Sequence, residues 1–403
     1  MEEMFEGSFT QQLPLSDAAI EAAVRVMRSG RLHRYNSLPG EVAEAAALEA
    51  EFAAYMGAKY CVAVTSGGAA MAMALRATGV APGDAVLSNA FTLAPVPGAI
   101  AGVGARPVFV GVTEDLTIDL EDLAAKADAS GARVLLLSHM RGHICDMDRL
   151  MEVVHAHELT VIEDCAHTMG ARWDGTLSGR HGAVACYSTQ TYKHMNSGEG
   201  GFLVTDDEEI AARAVFLSGS YMFPERHGAI PPGEVFERLK RDVPNMSSRM
   251  DNLRAAVLRE QLKHLDTDCV AWTERYRAVE AGLRNLPGLR VIERPEKEAF
   301  VGSSIQFRLP DWPAPDVAAF VERCKARGVE LKWFGAAEPQ GFTSTYADWR
   351  YAEPERLPET DRVLAGLLDM RIPLTFSLDD CALIARIISD EARRGSAARP
   401  AAE

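Results

Sequence analysis

From about residue 42 onward, short apolar runs alternate with longer stretches whose apolar residues recur at helical intervals. This alternation limits the possible folds more than any other property of the chain. Seven runs read as strands, at 60–64, 85–88, 107–110, 134–138, 160–163, 183–187 and 202–205. Several are apolar throughout, as parallel strands covered on both faces tend to be. Between them, residues 41–56, 69–77, 147–157 and 208–217 carry the helical spacing, with Gly57, Gly79 and Gly219 placed to end three of these helices. The order predicts an α/β domain with helices on both faces of a mixed, mainly parallel sheet.

Beyond this region the texture changes. A long helical stretch at 250–283 leads to strands near 289–293 and 304–308, a helix at 315–327, a strand at 330–334 and a last helix near 379–393, which together read as a smaller α+β domain. Residues 335–358 hold Pro339, Gly341, Tyr346, Tyr351 and Pro354 without periodicity, the composition of a loop that shapes a binding surface. The expected division is an N-terminal arm and helix (1–40), a large domain (41–255), a small C-terminal domain (256–394) and a frayed tail (395–403).

Forty-two basic and 57 acidic side chains leave a net charge of -15, which repels polyanions and argues against a nucleic-acid binder. An anionic small substrate then needs a local basic pocket, for which Arg226, Arg241 and Lys332 are candidates. The seven cysteines are scattered and never in CxxC spacing, so neither a disulfide framework nor a zinc site is expected. His155 and His157 sit two apart on a helical stretch and so do not share a face; no metal is read from them. The acidic start and the lack of an apolar run near 18 residues give no membrane partner and a cytoplasmic expectation.

Three segments carry chemistry. In Thr65-Ser66-Gly67-Gly68-Ala69-Ala70 an apolar strand gives way to a helix, and small residues at a helix N-terminus let backbone N–H groups approach a phosphate; such a turn also uses glycine for geometry alone. Asp164 ends a strand at the edge where open α/β sheets bind ligands, although a short carboxylate there also caps turns. Lys193 lies in a polar, glycine-rich loop five residues after Ser188. Most lysines are solvated surface charge, but one held beside a phosphate site forms an imine once its pKa is lowered. Together the three meet the needs of pyridoxal phosphate: an amine for the aldehyde, a carboxylate for the ring nitrogen, and amides with a hydroxyl for the phosphate. Arg141-Gly142-His143, after another strand, either faces the substrate or forms a turn.

The ordered set Leu48-Glu49-Ala50-Glu51-Phe52-Ala53, Ser66-Gly67-Gly68-Ala69-Ala70, Pro82-Gly83-Asp84, Glu163-Asp164-Cys165-Ala166-His167, Ser188 with Lys193, Gly198-Glu199-Gly200-Gly201 and Arg249-Met250 resembles the DegT/DnrJ/StrS family of fold-type I sugar aminotransferases over roughly residues 15–390. The resemblance implies a pyridoxal-phosphate-dependent transaminase in which Lys193 forms the Schiff base and Asp164 pairs with the ring nitrogen. It places Phe91 on the ring face, His167 near the phenolic oxygen, and Gly67, Gly68, Ala69 and Ser188 at the phosphate. It further implies a homodimer with shared sites; where the family has an Asn that reaches the neighbouring subunit's phosphate this chain has Ser247, with Asn245 two residues further back, and either could serve, or neither. An amino acid, glutamate or glutamine, is the expected donor, and a sugar nucleotide, cyclitol or related keto compound the acceptor. Decarboxylation, elimination or aldol cleavage on the same cofactor, or a non-catalytic regulatory protein, are the alternatives. One departure bears on the acceptor: Lys332-Trp333-Phe334-Gly335 replaces the family's His/Tyr-Pro-Leu-His stretch.

Overall fold

The computed structural model describes residues 2–397. The chain forms β1 (Tyr60–Val64), β2 (Ala85–Asn89), β3 (Arg106–Val110), β4 (Val134–Ser138) and β5 (Thr160–Asp164). A short hairpin of β6 (Arg172–Trp173) and β7 (Thr176–Leu177) follows, and then β8 (Val184–Ser188) and β9 (Gly201–Thr205). Seven of these make one sheet in the order β1-β9-β8-β5-β4-β2-β3. Neighbours from β8 through β3 run parallel, and β9 alone is reversed, pairing antiparallel with both β1 and β8.

The unbroken apolar character of these strands has a direct cause. On β4, Leu135 and Leu137 enter one core while Val134 and Leu136 enter another on the opposite face. With a period of two, both faces need apolar side chains when both are covered. One face is covered by helices Glu44–Met56, Leu120–Ser130, Met147–Ala156 and Asn252–Leu262, the other by Gly67–Ala77, Pro95–Gly102, Glu208–Ser218 and Gly233–Leu239. Gly57 and Gly219 end their helices in left-handed geometry at φ 63° and 118°. Such helix stops are common because glycine has no Cβ to clash.

The remainder builds a four-stranded antiparallel sheet from β10 (Arg290–Val291), β12 (Ser304–Arg308), β13 (Lys332–Trp333) and β14 (Leu367–Arg371), in the order β10-β12-β14-β13, while β11 (Glu298–Ala299) pairs with β6. Helices Leu265–Leu283, Ala314–Ala326 and Leu378–Ala397 pack on this sheet around a third core. Phe5 and Phe9 belong to that core and meet Phe376 edge-on at ring distances of 4.9 and 5.0 Å. The Phe5 N–H donates to the Arg327 carbonyl at 2.9 Å. The arm then runs back to helix Asp17–Ser29, which packs against helix Asn252–Leu262 through Ala22, Val26 and Ala256.

Several sequence expectations need correction. The helical stretch at 250–283 is two helices, Asn252–Leu262 and Leu265–Leu283, broken at Lys263 and His264 with neither glycine nor proline at the break. β14, which was not read as a strand, occupies the middle of its sheet. The strand at 330–334 shrinks to Lys332–Trp333. The last helix continues through Ala397, so Gly395 is helical, and the rest of the expected tail lies outside the described residues. All seven cysteines are free and buried. No helix among the described residues is long and apolar enough to cross a membrane.

Candidate active site

The C-terminal ends of β1, β4, β5 and β8 open into one cleft of about 610 Å³, whose walls include Ser66, Ser138, Asp164 and Ser188. Because these strands are parallel, the residues that follow them converge on one edge of the sheet. The cleft is closed from the other side by the C-terminal sheet and its loops, through Ser304, Arg371, Phe342 and Ser344.

Lys193 and Asp164 face the same cleft. The Lys193 amine donates to Nε2 of His167 at 2.8 Å. Burial is the main influence on this lysine and lowers its pKa to about 7; Asp164 opposes the shift, while Arg141, Arg371 and Lys332 add to it. Burial likewise pushes His167 well below its ordinary range, and the Lys193 charge acts in the same direction. A neutral imidazole is what accepts a bond from the lysine.

Asp164 sits at the end of a relay. Thr92 Oγ1 donates to Ser138 Oγ at 2.8 Å, and Ser138 Oγ donates to Asp164 Oδ2 at 2.9 Å. The Ala166 N–H donates to Oδ1 at 3.1 Å. Asn89 fixes the middle member, accepting from the Ser138 N–H and donating to its carbonyl at 2.8 and 3.0 Å. Burial raises the Asp164 pKa, and the Ala166 amide, Lys193 and the Ser138 hydroxyl resist that rise. The carboxylate is thus oriented by two hydrogen bonds and turned toward the cleft with its charge only partly compensated.

Ser66 caps helix Gly67–Ala77 by accepting from the Ala69 N–H at 3.0 Å. The first N–H groups of a helix have no intrahelical acceptor, so Gly67 and Gly68 present free donors and partial positive charge to the cleft, beside the Ser188 hydroxyl. Glycine is required at 67 because a Cβ there would stand 3.0 Å from Ser188 Cβ. Amine, carboxylate, and amides with a hydroxyl are the donor set that pyridoxal phosphate needs, and the narrow approach at Gly67 leaves the cradle open to a phosphate. The residues present fit the cofactor.

Not every expected residue lies there. Phe91 is buried in a separate packing cluster, edge-on to Phe334 at 5.2 Å, and is absent from the cleft wall. The chain bends through residues 90–92, so the wall is made by Leu93 instead. The Ala69 amide is already engaged by Ser66. Asn245 and Ser247 are exposed, lie off the cleft, and are tied to each other by a 3.0 Å bond from the Ser247 N–H to Asn245 Oδ1. Of the suggested cations, Arg226 donates to the Tyr35 carbonyl and Arg241 is exposed, whereas Lys332 lies 3.9 Å from Asp369 on the adjacent strand.

Other cleft residues were not read from the sequence, notably Ser138, Tyr192, Trp272, Gln12 and Arg371. Ser138 could have been found by the argument that found Asp164, since it ends the neighbouring parallel strand. Arg371 was signalled by alternation in Leu367-Leu368-Asp369-Met370-Arg371, where charges interrupt an apolar run at every second position. Among the described residues one group, His139, Glu163 and Cys165, has metal-like spacing. Glu163 already accepts from His139 and from the Gly179, His181 and Gly182 amides. Burial opposes its charge, but these donors hold its pKa down at about 2. The group is a brace beneath the cleft.

Known proteins resemble this chain in sequence and in fold. The chain is 36% identical over 279 residues to a dTDP-3-amino-3,4,6-trideoxy-alpha-D-glucose transaminase of Streptomyces venezuelae, covering 68% of this chain and 66% of that protein. It is 33% identical over 251 residues to an L-glutamine:scyllo-inosose aminotransferase of Streptomyces griseus, covering 62% of this chain and 59% of that one. The match thus spans less than two thirds of either relative's length. The crystal structure of a 3-amino-5-hydroxybenzoic acid synthase superposes with a TM-score of 0.82 at 25% identity, covering 98% of this chain and all of the other. The model of one family matches residues 15–389, and with that extent and the cleft just described, the chain belongs to the DegT/DnrJ/EryC1/StrS aminotransferase family, whose members depend on pyridoxal phosphate.

Proposed function

We propose that this chain is a pyridoxal-phosphate-dependent aminotransferase that moves an amino group from glutamate or glutamine to a keto group of a sugar nucleotide, cyclitol or related compound. The observation that carries this reading is a half-buried lysine amine and a buried carboxylate facing one cleft, beside a helix N-terminus shaped for a phosphate. When bound, the cofactor supplies an electron sink for the substrate carbon and carries the amino group between two half reactions.

The chain's own groups do the rest. Lys193, with a pKa near 7, is the amine that would hold the cofactor aldehyde, and its free base would move a proton at the substrate carbon. Asp164, aimed by Ser138, holds the ring nitrogen in its protonated form. His167 receives the Lys193 N–H and lies on the side expected for the phenolic oxygen. Gly67, Gly68 and Ser188 bind the phosphate.

We infer a homodimer. Exposed apolar side chains at Tyr221, Met222, Phe223 and Met246 flank Asn245 and Ser247, which makes this segment suited to carry either residue to a partner's phosphate. Seven unpaired, buried thiols suit a reducing, cytoplasmic setting.

The test is spectroscopic. Purified protein should show the absorbance of a lysine-bound cofactor and lose it on adding glutamate or glutamine, and Lys193→Ala should abolish both the band and turnover. Full activity in that variant would remove the mechanism. Analysis of the amine and keto products separates transamination from decarboxylation, elimination or aldol cleavage. Bound cofactor that no amine converts would mark a regulatory protein instead.

A further inference from the structure

Three cations meet around one carboxylate beside the cleft, two of them, Arg141 and Arg371, in its wall. Lys332 on β13 is paired in register with Asp369 on β14, and Arg371 lies two residues further along β14. Residues two apart on a strand share a face. Arg141 reaches the same place from the turn after β4 and pairs with Asp369 at 2.9 Å. The other Asp369 oxygen accepts from Gln306 at 2.8 Å, and Arg371 takes part in neither contact. Arg371 enters none of the ion pairs among the described residues; its guanidinium lies over the Tyr192 ring, 3.6 Å from the centroid, next to Lys193 in the chain. Counting charges, three positive groups face one negative group, an excess of two in a partly enclosed space.

Two observations mark this as a built site. Arg141 is only 7% exposed, yet its backbone is held in the left-handed region at φ 56°, ψ 22°. A non-glycine residue pays a strain energy there, and such strain collects where a side chain must be aimed. Arg141 Nε and Lys332 Nζ are buried without a hydrogen-bond acceptor. Buried donors in native proteins nearly always have a partner, and a ligand is one. Burial and the neighbouring cations also depress Lys332, to about 8, and Arg371.

We propose that Arg371, Arg141 and Lys332 hold a carboxylate of the small-molecule substrate within the same protomer, making Arg371 a specificity-determining residue for carboxylate-bearing amines and keto compounds. The planar fork of a guanidinium matches the two oxygens of a carboxylate. The same cleft serves donor and acceptor in turn, and a neutral acceptor would leave the excess charge uncompensated. A carboxylate on the keto compound is therefore favoured over a neutral cyclitol. This inference rests on the aminotransferase reading above and narrows its substrate class.

The test uses cofactor-loaded protein and two readouts. Calorimetric titration with glutarate, an unreactive dicarboxylate, should show binding that weakens at least about tenfold in Arg371→Gln and is partly kept in Arg371→Lys. Inorganic phosphate and uridine diphosphate are the comparison ligands; tighter binding of either, lost in Arg371→Gln, would assign the cluster to phosphate and overturn the carboxylate claim. In the second readout the bound-cofactor spectrum is followed with L-glutamate and with 4-phenylbutylamine, which lacks a carboxylate. Arg371→Gln should slow conversion by glutamate far more than it slows conversion by the neutral amine. Equal glutamate conversion by wild type and Arg371→Gln would refute the proposal while leaving the aminotransferase reading intact. Failure of every amine with the wild type would instead sink that reading. Lys332→Gln, at the edge of the cluster, gives a second variant should Arg371→Gln not fold, and it is expected to weaken glutarate in the same direction.

Discussion

Replacing Ser138 by alanine removes one hydroxyl and little else, which makes it a sharp probe of how the cleft holds its cofactor. The lost bond runs 2.9 Å from Ser138 Oγ to a buried carboxylate oxygen. Hydrogen bonds to a charged acceptor contribute about 1.5–3 kcal/mol. At about 1.4 kcal/mol per factor of ten, that is roughly 10- to 150-fold in any equilibrium that needs Asp164 ionised. The sign follows from the charge. Ser138 favours the ionised carboxylate, so its loss lets the Asp164 pKa rise, and the proton moves from the ring nitrogen toward the carboxyl. The cofactor should then be held about 10- to 100-fold more weakly. Equilibrium dialysis of the cofactor against Ser138→Ala, Thr92→Val and Asp164→Asn measures this directly. Thr92 donates only to a neutral hydroxyl, so its removal should have a smaller effect, about 0.5–1.5 kcal/mol. The expected order of damage is Asp164→Asn, Ser138→Ala, Thr92→Val. An unchanged affinity in Ser138→Ala, with normal thermal unfolding, would refute the claim that Asp164 works through its charge.

Three further outcomes are expected. Capture of the cofactor by the cofactor-free protein should quicken from pH 5 and level off above about pH 8, because Lys193 deprotonates near 7 and only the free base reacts; a rate still climbing past pH 9 in stopped-flow absorbance would contradict that. A lysine whose pKa falls on folding makes the unfolded chain the better proton binder, so this group destabilises the cofactor-free protein below its unfolded pKa, and the penalty fades as pH rises from about 7 toward the unfolded value. Lys193→Met should accordingly raise thermal stability of the cofactor-free protein at pH 7, on the order of a few kcal/mol, with no such gain at pH 10.5. Finally, Arg34 is buried against Glu49, with guanidinium bonds of 2.9 and 2.8 Å, and Arg34→Met should lower stability by about 3–5 kcal/mol in calorimetry, since it strips a buried carboxylate of its chief partner.

Two causes made parts of this molecule legible in its sequence: burial on both faces of the sheet, and the chemistry of one cofactor. Val134, Leu135, Leu136 and Leu137 had to be apolar at every position because both faces of the strand are covered, and such a run is hard to mistake. Lys193 and Asp164 were readable because the chemistry of a single cofactor links residue types that otherwise have little reason to recur in order. β14 was hidden by function: Asp369 and Arg371 put charges into a strand whose apolar pattern would otherwise have shown. Phe91 packs on Phe334 rather than in the cleft wall because a bend over three residues decides which side chain meets the cleft, and bends of that kind leave no periodic trace. The helix break at Lys263 and His264 likewise shows no glycine or proline, and Leu258 before it and Leu265 after it lie in one core, so no local sequence signal marks it. The N-terminal arm was expected as a unit of its own, yet its anchors, Phe5 and Phe9, lie in a core made otherwise by residues beyond 270.

That last arrangement sets an order of events during synthesis. A ribosome releases Phe5 and Phe9 hundreds of residues before it makes Phe376, so the two rings spend most of translation without their apolar socket. Gln12, a few residues later, borders the cleft, so the mouth of the cleft takes its final shape only once Phe376 has been made and has seated the two rings.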